Sequence, residues 1–332
     1  MTTVRDLGEG GLIERLVKQV TEARLKPPAH KGFRLRLGLG DDAAAWRLDG
    51  GVEVCTTDTM VEGTHFTRET SSWADVGWKL WASNLSDVAS MGAIPLTGVV
   101  TLGLPSDLPV EAIDGLYDGM LEACERYNTL LVGGDLVNSE RVFLTVAMTG
   151  VCVAEPLTRG AARPGQAVAV TGPVGASAGG LLVLQRGGPS NEAEELLVMT
   201  HRRPLPRVEE GQLLMRDAIR CAMDVSDGLV GDLAKLGRAS GVGARVEAGR
   251  VPLPQELREV FPEDALRLGL SGGEDYQILF VGPRPIVERV LSELPEAAII
   301  GEITADDPGE VRVIGEDGGE MVLAETGWEH LR

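Results

Sequence analysis

The segment VEVCTTDTMVEGTHF, residues 52–66, decides the architecture of this chain. Its β-branched run Val52–Thr57 predicts a strand, and the polar stretch Thr57–Phe66 predicts the turn into which that strand runs out. Downstream, apolar residues at helical spacing predict a helix from about Ala74 to Met91, stopped by Gly92 with Pro95 beyond it. A strand over Leu96–Leu104 comes next. Val110, Ile113, Leu116, Met120 and Cys124 then mark the inner face of a helix reaching about Tyr127, and strands follow at Thr129–Val132 and Val142–Val151. Upstream, Leu12, Ile13, Leu16, Val17 and Val20 predict a helix that Pro27 and Pro28 end. This half reads as a mixed sheet covered by helices.

At 332 residues the chain exceeds a typical single core, so two domains with a cleft between them are expected. The glycine- and proline-rich segment RGAARPGQAVAVTGPVG (Arg159–Gly175) places the boundary near its start, giving domains 1–152 and 153–332. In the second domain helical patterns run to Ile219, a strand covers Arg220–Val225, a helix follows Gly228, and another strand covers Tyr276–Val281. A tail of short strands closes it. The fold class is α/β with mixed sheets in two domains.

The 50 acidic and 31 basic residues leave a net charge of −19, which repels nucleic-acid phosphates and anionic lipid surfaces; neither nucleic acid nor membrane is expected as a partner. Cys55, Cys124, Cys152 and Cys221 have no CxxC spacing and lie in apolar stretches, so buried free thiols in a reducing cytoplasm are expected. No signal-like or membrane-length apolar run is visible, which also points to the cytoplasm.

Several acidic motifs carry the chemistry. Asp41 and Asp42 follow Gly38 and Gly40; their repulsion invites a cation, although an Asx-turn or a helix cap explains the pair equally well. Thr56, Thr57 and Asp58 offer several oxygens where the first strand is expected to end. Ser83, Asn84 and Asp87 share a helix face, and Gly133, Gly134 and Asp135 combine backbone access with a carboxylate. Asp224, Ser226 and Asp227 stand at a strand exit before Gly228 and a helix, a geometry suited to a metal and a phosphate at a helix N-terminus. Gly272, Gly273, Glu274 and Asp275 form a polar turn feeding the next strand. Each motif alone also fits capping or a solvated face; together they exceed what capping requires.

No GxxxxGK[ST] loop occurs, and none of the five lysines (Lys18, Lys26, Lys31, Lys79, Lys235) stands in a glycine loop, so phosphate charge has to be met by metals and arginine. Dinucleotide-binding and protein-kinase signatures are missing. Ser-His-Asp hydrolysis finds no GxSxG and no nucleophile evident beside His30, His65, His201 or His330.

In order along the chain, GDDAA, TDTMVEGTHF, NLSDVASMGA, GGD, MDVSDGL and SGGEDY resemble the thiamine-monophosphate kinase family, a branch of the aminoimidazole-ribonucleotide-synthetase-like ATP-binding proteins. The resemblance spans about Gly38 to Trp328. It implies a two-domain fold with an ATP cleft, a homodimer formed through the N-terminal domain, and phosphorylation of thiamine monophosphate by ATP and several Mg2+ ions without a covalent nucleophile. It further implies that Asp42, Asp58, Asp87, Asp135 and Asp224 bind magnesium, with Asp41, Thr56, Thr57 and Asp227 in or beside that cluster. Gly134, Asp135, Arg159 and Ser226 are implied to contact ATP, and His65, Glu274 and Trp328 to contact thiamine monophosphate.

The alternatives are ATP-using relatives with other acceptors, selenophosphate-synthetase-like or aminoimidazole-ribonucleotide-synthetase-like, and an idle binding protein on the same fold. No cysteine precedes Cys55 and none lies in the terminal GWEHLR, against the relatives that use one there.

Overall fold

The computed structural model describes residues 2–37, 45–324 and 326–328. The chain divides into two compact units, residues 1–88 with 93–154, and residues 155–332 with the four residues Ala89–Gly92.

In the first unit, helix α1 (Val4–Glu22) starts at Thr3, whose capping box with Asp6 closes the first turn, and it is broken at Gly8. A two-stranded ribbon, β1 (Arg34–Leu37) and β2 (Ala45–Arg47), precedes the main elements β3 (Val52–Val61), α2 (Trp73–Ser90), β4 (Ile94–Leu104), α3 (Val110–Tyr127), β5 (Leu130–Asn138) and β6 (Phe143–Cys152). The sheet order is β3-β6-β4-β5, with β4 and β5 parallel and the other pairs antiparallel. Helices α2 and α3 supply Leu80, Trp81, Leu85, Ile113, Leu116 and Met120 to the core, and the sheet adds Leu96, Leu102, Leu144 and Met148. The only polar atom of the Trp81 ring, Nε1, is satisfied inside this core by donating to Thr129 Oγ1 at 2.9 Å.

Two strands differ from the sequence expectation. β3 continues through Asp58 to Val61 instead of ending at Thr57, because it is the edge strand of the sheet and polar side chains there lose no burial. β5 runs through Gly133, Gly134 and Asp135 instead of stopping before them. Glycine is required at 134 by strand packing: a Cβ there would stand 2.2 Å from the carbonyl oxygen of Val100 on β4.

The second unit holds a seven-stranded sheet in the order β13-β12-β9-β11-β7-β10-β8, antiparallel except for the parallel pair β12–β9. Its strands are β7 (Ala167–Val170), β8 (Cys221–Asp224), β9 (Gly243–Glu247), β10 (Ile278–Gly282), β11 (Ala298–Thr304), β12 (Val311–Ile314) and β13 (Glu320–Met321). Interleaved are α4 (Ala176–Gln185), α5 (Glu192–Arg202), α6 (Val208–Arg216), α7 (Leu229–Ser240), α8 (Gln255–Val260), α9 (Ala265–Ser271) and α10 (Arg284–Leu291). Val170, Met223, Leu233, Val246, Leu279 and Ile300 belong to the core formed under this sheet. No described helix is long and apolar enough to cross a membrane.

Cys124, Cys152 and Cys221 are buried, and burial pushes the thiols of Cys152 and Cys221 up to about 11. Cys55 departs from the expectation of a buried thiol. It is exposed, since it falls on the alternate face of β3 from Val54 and Thr56.

Candidate active site

In the first unit the site begins with the alternation of β3. Thr56 and Asp58 lie on the face that meets α2, and Thr56 Oγ1 donates a short hydrogen bond to Asp87 Oδ2. Asn84, one turn earlier on α2 and fully buried, accepts from the backbone N–H of Asp58 at 3.2 Å and donates to Leu80 O at 3.0 Å. An edge strand leaves part of its backbone N–H groups outside the ladder, and here Asn84 takes one of them while fixing the strand to the helix. Thr56, Asp58 and Asp87 therefore form one oxygen-rich group.

Thr57 and Asp135 belong to the other face. Along the sheet Asp135 is in register with Thr101, Thr145 and Thr59, all on the opposite side from Asp58. Asp135 Oδ1 accepts from the N–H of Leu136 at 3.0 Å, and Thr57 Oγ1 donates to Val146 O at 2.9 Å. Within one copy of the unit, the strand pleat separates these two residues from the Thr56–Asp87 pair.

His65 sits in the turn after β3. Its Nδ1 lies 3.0 Å from the backbone N–H of Val61 and accepts from it, so in the neutral ring the proton is on Nε2, which can donate to a ligand. Asp41 and Asp42 lie outside the described residues.

The second unit gathers three segments that are distant in sequence. Asp224 ends β8 and is almost wholly buried; Ser226 and Asp227 follow it in the turn that leads into α7. Ser226 O accepts from Glu274 N at 2.8 Å, Val225 O from Tyr276 N at 2.9 Å, and Asp227 O from Trp328 N at 3.0 Å. The backbone itself thus brings Ser226, Asp227, Glu274 and Trp328 together. Gly228, with φ 135°, completes the turn where a side chain would meet Ser271 O at 2.7 Å. Glu274 and Tyr276 both hold positive φ, at 64° and 50°, a strain that the bonds from this turn support. Trp328 is 56% exposed.

Asp232 on α7 is the keystone of that turn. Its fully buried Oδ2 accepts from the N–H groups of Ser226, Asp227 and Gly228 at 3.0, 3.0 and 3.1 Å, and its Oδ1 lies 2.7 Å from Lys235 Nζ. The same ammonium pairs with Asp227 Oδ2. Lys235, two turns on from Asp227, thus brings an ammonium to this turn, which the sequence reading had not placed there.

A second cluster also lacked a local sequence signal. Buried His201 places Nδ1 3.0 Å from Ser177 Oγ and 3.6 Å from Glu274 Oε2, so a hydroxyl does lie beside this histidine. Both partners address the same ring nitrogen, which is not the arrangement of a hydrolytic triad, where base and orienting acid use opposite nitrogens. Asp275 turns inward and caps α4, accepting from Gly175 N and Ser177 N; burial outweighs those donors and pushes its carboxyl up to about 7. Arg159 is exposed, and the bridge Thr158–Cys221 sets it beside the start of β8, not at its Asp224 end.

Among the described residues no three His, Cys, Asp or Glu side chains stand close enough to form a ready metal centre. The donor chemistry nonetheless fits magnesium: carboxylates and hydroxyls, hard oxygen ligands, with no cysteine among them.

Two families account for most of the chain. AIR synthase related protein, N-terminal domain, matches residues 40–154, and AIR synthase related protein, C-terminal domain, matches residues 163–314. The thiamine-monophosphate kinase of Escherichia coli (strain K12) is 36% identical over 333 residues, covering 98% of each chain, and that of Aquifex aeolicus (strain VF5) is 35% identical over 285 residues, covering 85% of this chain and 88% of its own. Among solved structures, the thiamine-monophosphate kinase of Stenotrophomonas maltophilia K279a superposes with a TM-score of 0.79 at 32% identity, covering 93% of this chain and 96% of its own. AaThiL complexed with AMPPCP and TMP superposes with a TM-score of 0.77 at 30% identity, covering 100% and 99%.

Proposed function

The chain belongs to the thiamine-monophosphate kinase family of AIR synthase related proteins, and from that premise we propose that it transfers the γ-phosphoryl group of ATP to the phosphate of thiamine monophosphate, giving thiamine diphosphate. The observation that carries the reading is the convergence in the second unit of Ser226, Asp227, Glu274 and Trp328 through backbone bonds between three distant segments. The carboxylates of Asp224 and Asp227, suited to a phosphate-bound cation, with the Glu274 carboxylate and the exposed Trp328, suit a ligand that is phosphorylated at one end and cationic and aromatic at the other.

In this reading Ser226, Gly134, Asp135 and Arg159 contact ATP. Glu274 faces the cationic thiazolium, Trp328 covers a ring, and His65 donates from Nε2. The acceptor is already an anion, so positioning suffices without a strong base or a covalent nucleophile, and transfer is in line. Magnesium would be held by Asp58 and Asp87 with Thr56 on one face of the first sheet, by Asp135 with Thr57 on the other, by Asp41 and Asp42, and by Asp224 and Asp227 in the second unit, and would supply positive charge against the phosphates. The threonine-rich outer face of the first sheet, with exposed Val99 and Val137, supports a homodimer through that unit, acting in the cytosol.

A coupled assay offering ATP and magnesium with thiamine monophosphate, thiamine, selenide or an amidine ribotide tests the acceptor, with turnover expected for thiamine monophosphate alone. Turnover with selenide or the ribotide instead would replace this reading by one of the related activities. Inversion at a chiral γ-phosphorus is expected; retention, or a kinetically competent phosphoenzyme, would exclude direct transfer. Sedimentation of a fully active monomer would remove the dimer.

A further inference from the structure

Lys235 occupies a position that gives Asp227 two competing fates. Its ammonium is shared between Asp227 Oδ2 and Asp232 Oδ1, and the two carboxylates are unequal. Asp232 has no exposed side-chain surface and is committed to three backbone N–H groups. Asp227 keeps 27% of its side chain exposed, and its Oδ2 accepts from Lys235 Nζ. Lys235 itself keeps 35% of its side chain exposed, so the pair lies at the rim where solvent ions reach it.

We propose that Lys235 is the resident cation of Asp227, and that a divalent cation binding there must displace it, while Asp232 retains the released ammonium beside the site. The inference rests on the reading of Asp227 as a magnesium ligand. Its physical content is a competition: two cations cannot both sit against one carboxylate oxygen without strong mutual repulsion, so the intrinsic affinity of Asp227 for a divalent ion is masked by the cost of moving the lysine. Asp232 makes the exchange reversible, because its buried charge keeps the ammonium within reach of Asp227 once the divalent ion leaves.

The test measures Mn2+ binding to the full-length, nucleotide-free protein by electron paramagnetic resonance of the free ion, for wild type, Lys235→Met, Lys235→Gln, Lys235→Arg and Arg238→Gln. Removing the ammonium should tighten Mn2+ binding by about tenfold in Lys235→Met and in Lys235→Gln, which can still hydrogen-bond to Asp232. Lys235→Arg should bind as wild type does. Arg238→Gln makes the same charge change one turn further along α7 and should alter affinity by less than about twofold. Adding Asp227→Asn to Lys235→Gln should abolish the gain. Wild-type affinity in both neutral variants, or an equal gain in Arg238→Gln, would overturn the competition while leaving the metal reading intact. Absence of Mn2+ binding in every variant would overturn both.

Discussion

In the first unit Asp58, Asp87 and Asp135 project from a strand, a helix and a second strand whose pairing and burial are set by apolar neighbours. In the second, Asp232 and the Ser226–Gly228 turn are mutually dependent: the carboxylate is buried because the turn wraps it, and the turn's N–H groups are satisfied because the carboxylate is there. Acids on a finished scaffold can be neutralised with little effect on folding, so their loss should register in chemistry. An acid that builds its own loop should register first in stability. The difference shows that the density of carboxylates in this sequence serves two purposes, and that their position relative to backbone N–H groups separates them.

The largest effect tests the structural side. Asp232→Ala leaves three buried N–H donors and the Lys235 ammonium without their partner and should destabilise the second unit by about 3–5 kcal/mol. Urea unfolding followed by a second-unit probe measures this, and an unchanged midpoint would mean that the turn supports itself. Asp87→Asn tests the chemical side: Thr56 can still donate to the amide oxygen, so the fold should hold while kcat falls by roughly two orders of magnitude, about 3 kcal/mol at the transition state. Steady-state kinetics across a magnesium titration check it, with partial recovery at high magnesium expected; a near-normal kcat throughout would contradict metal-based charge neutralisation.

Glu274→Gln belongs between the two classes, since Glu274 is positioned by the turn and is proposed to face the thiazolium. It should raise KM for thiamine monophosphate about tenfold and leave KM for ATP unchanged. Equal shifts in both constants would remove Glu274 from the thiazolium end. The smallest effect is at His201, whose Nδ1 lies 3.6 Å from Glu274 Oε2: His201→Gln should raise the same KM about threefold with kcat unaltered. A loss of kcat without a KM change would show that the cluster with Ser177 acts elsewhere.

Much of this could be read from residue patterns. Helices α2, α3 and α7 and strands β4 and β6 were legible from the placing of their apolar residues, which supply the cores of the two units. The reading failed where tertiary context supplies what local sequence lacks. Gly133 and Gly134 looked like backbone access beyond the end of a strand, yet the close approach of Val100 O to Gly134 makes glycine the residue a continuous strand needs there. Thr57 and Asp58 looked like a strand exit, yet an edge strand tolerates them. The motifs of the second unit were legible as acidic turns, but their convergence was not, because bonds such as Trp328 N to Asp227 O leave no mark in either segment. Lys235 did have a signal, an Asp232–Lys235 pair at i and i+3 on a helix entered through Asp227, and that spacing reports where an ammonium can reach. Ser177 and His201 had none.

The knot of three backbone bonds also dictates when the site can come into being. Val225 must wait for Tyr276, roughly fifty residues on, and Asp227 for Trp328, roughly a hundred residues on, and closing such loops costs chain entropy that no local contact repays. The turn therefore takes its fixed shape only when β8 and β10 are paired and the segment of Trp328 is in place. A ligand that binds the turn stabilises the closed form of both loops at once.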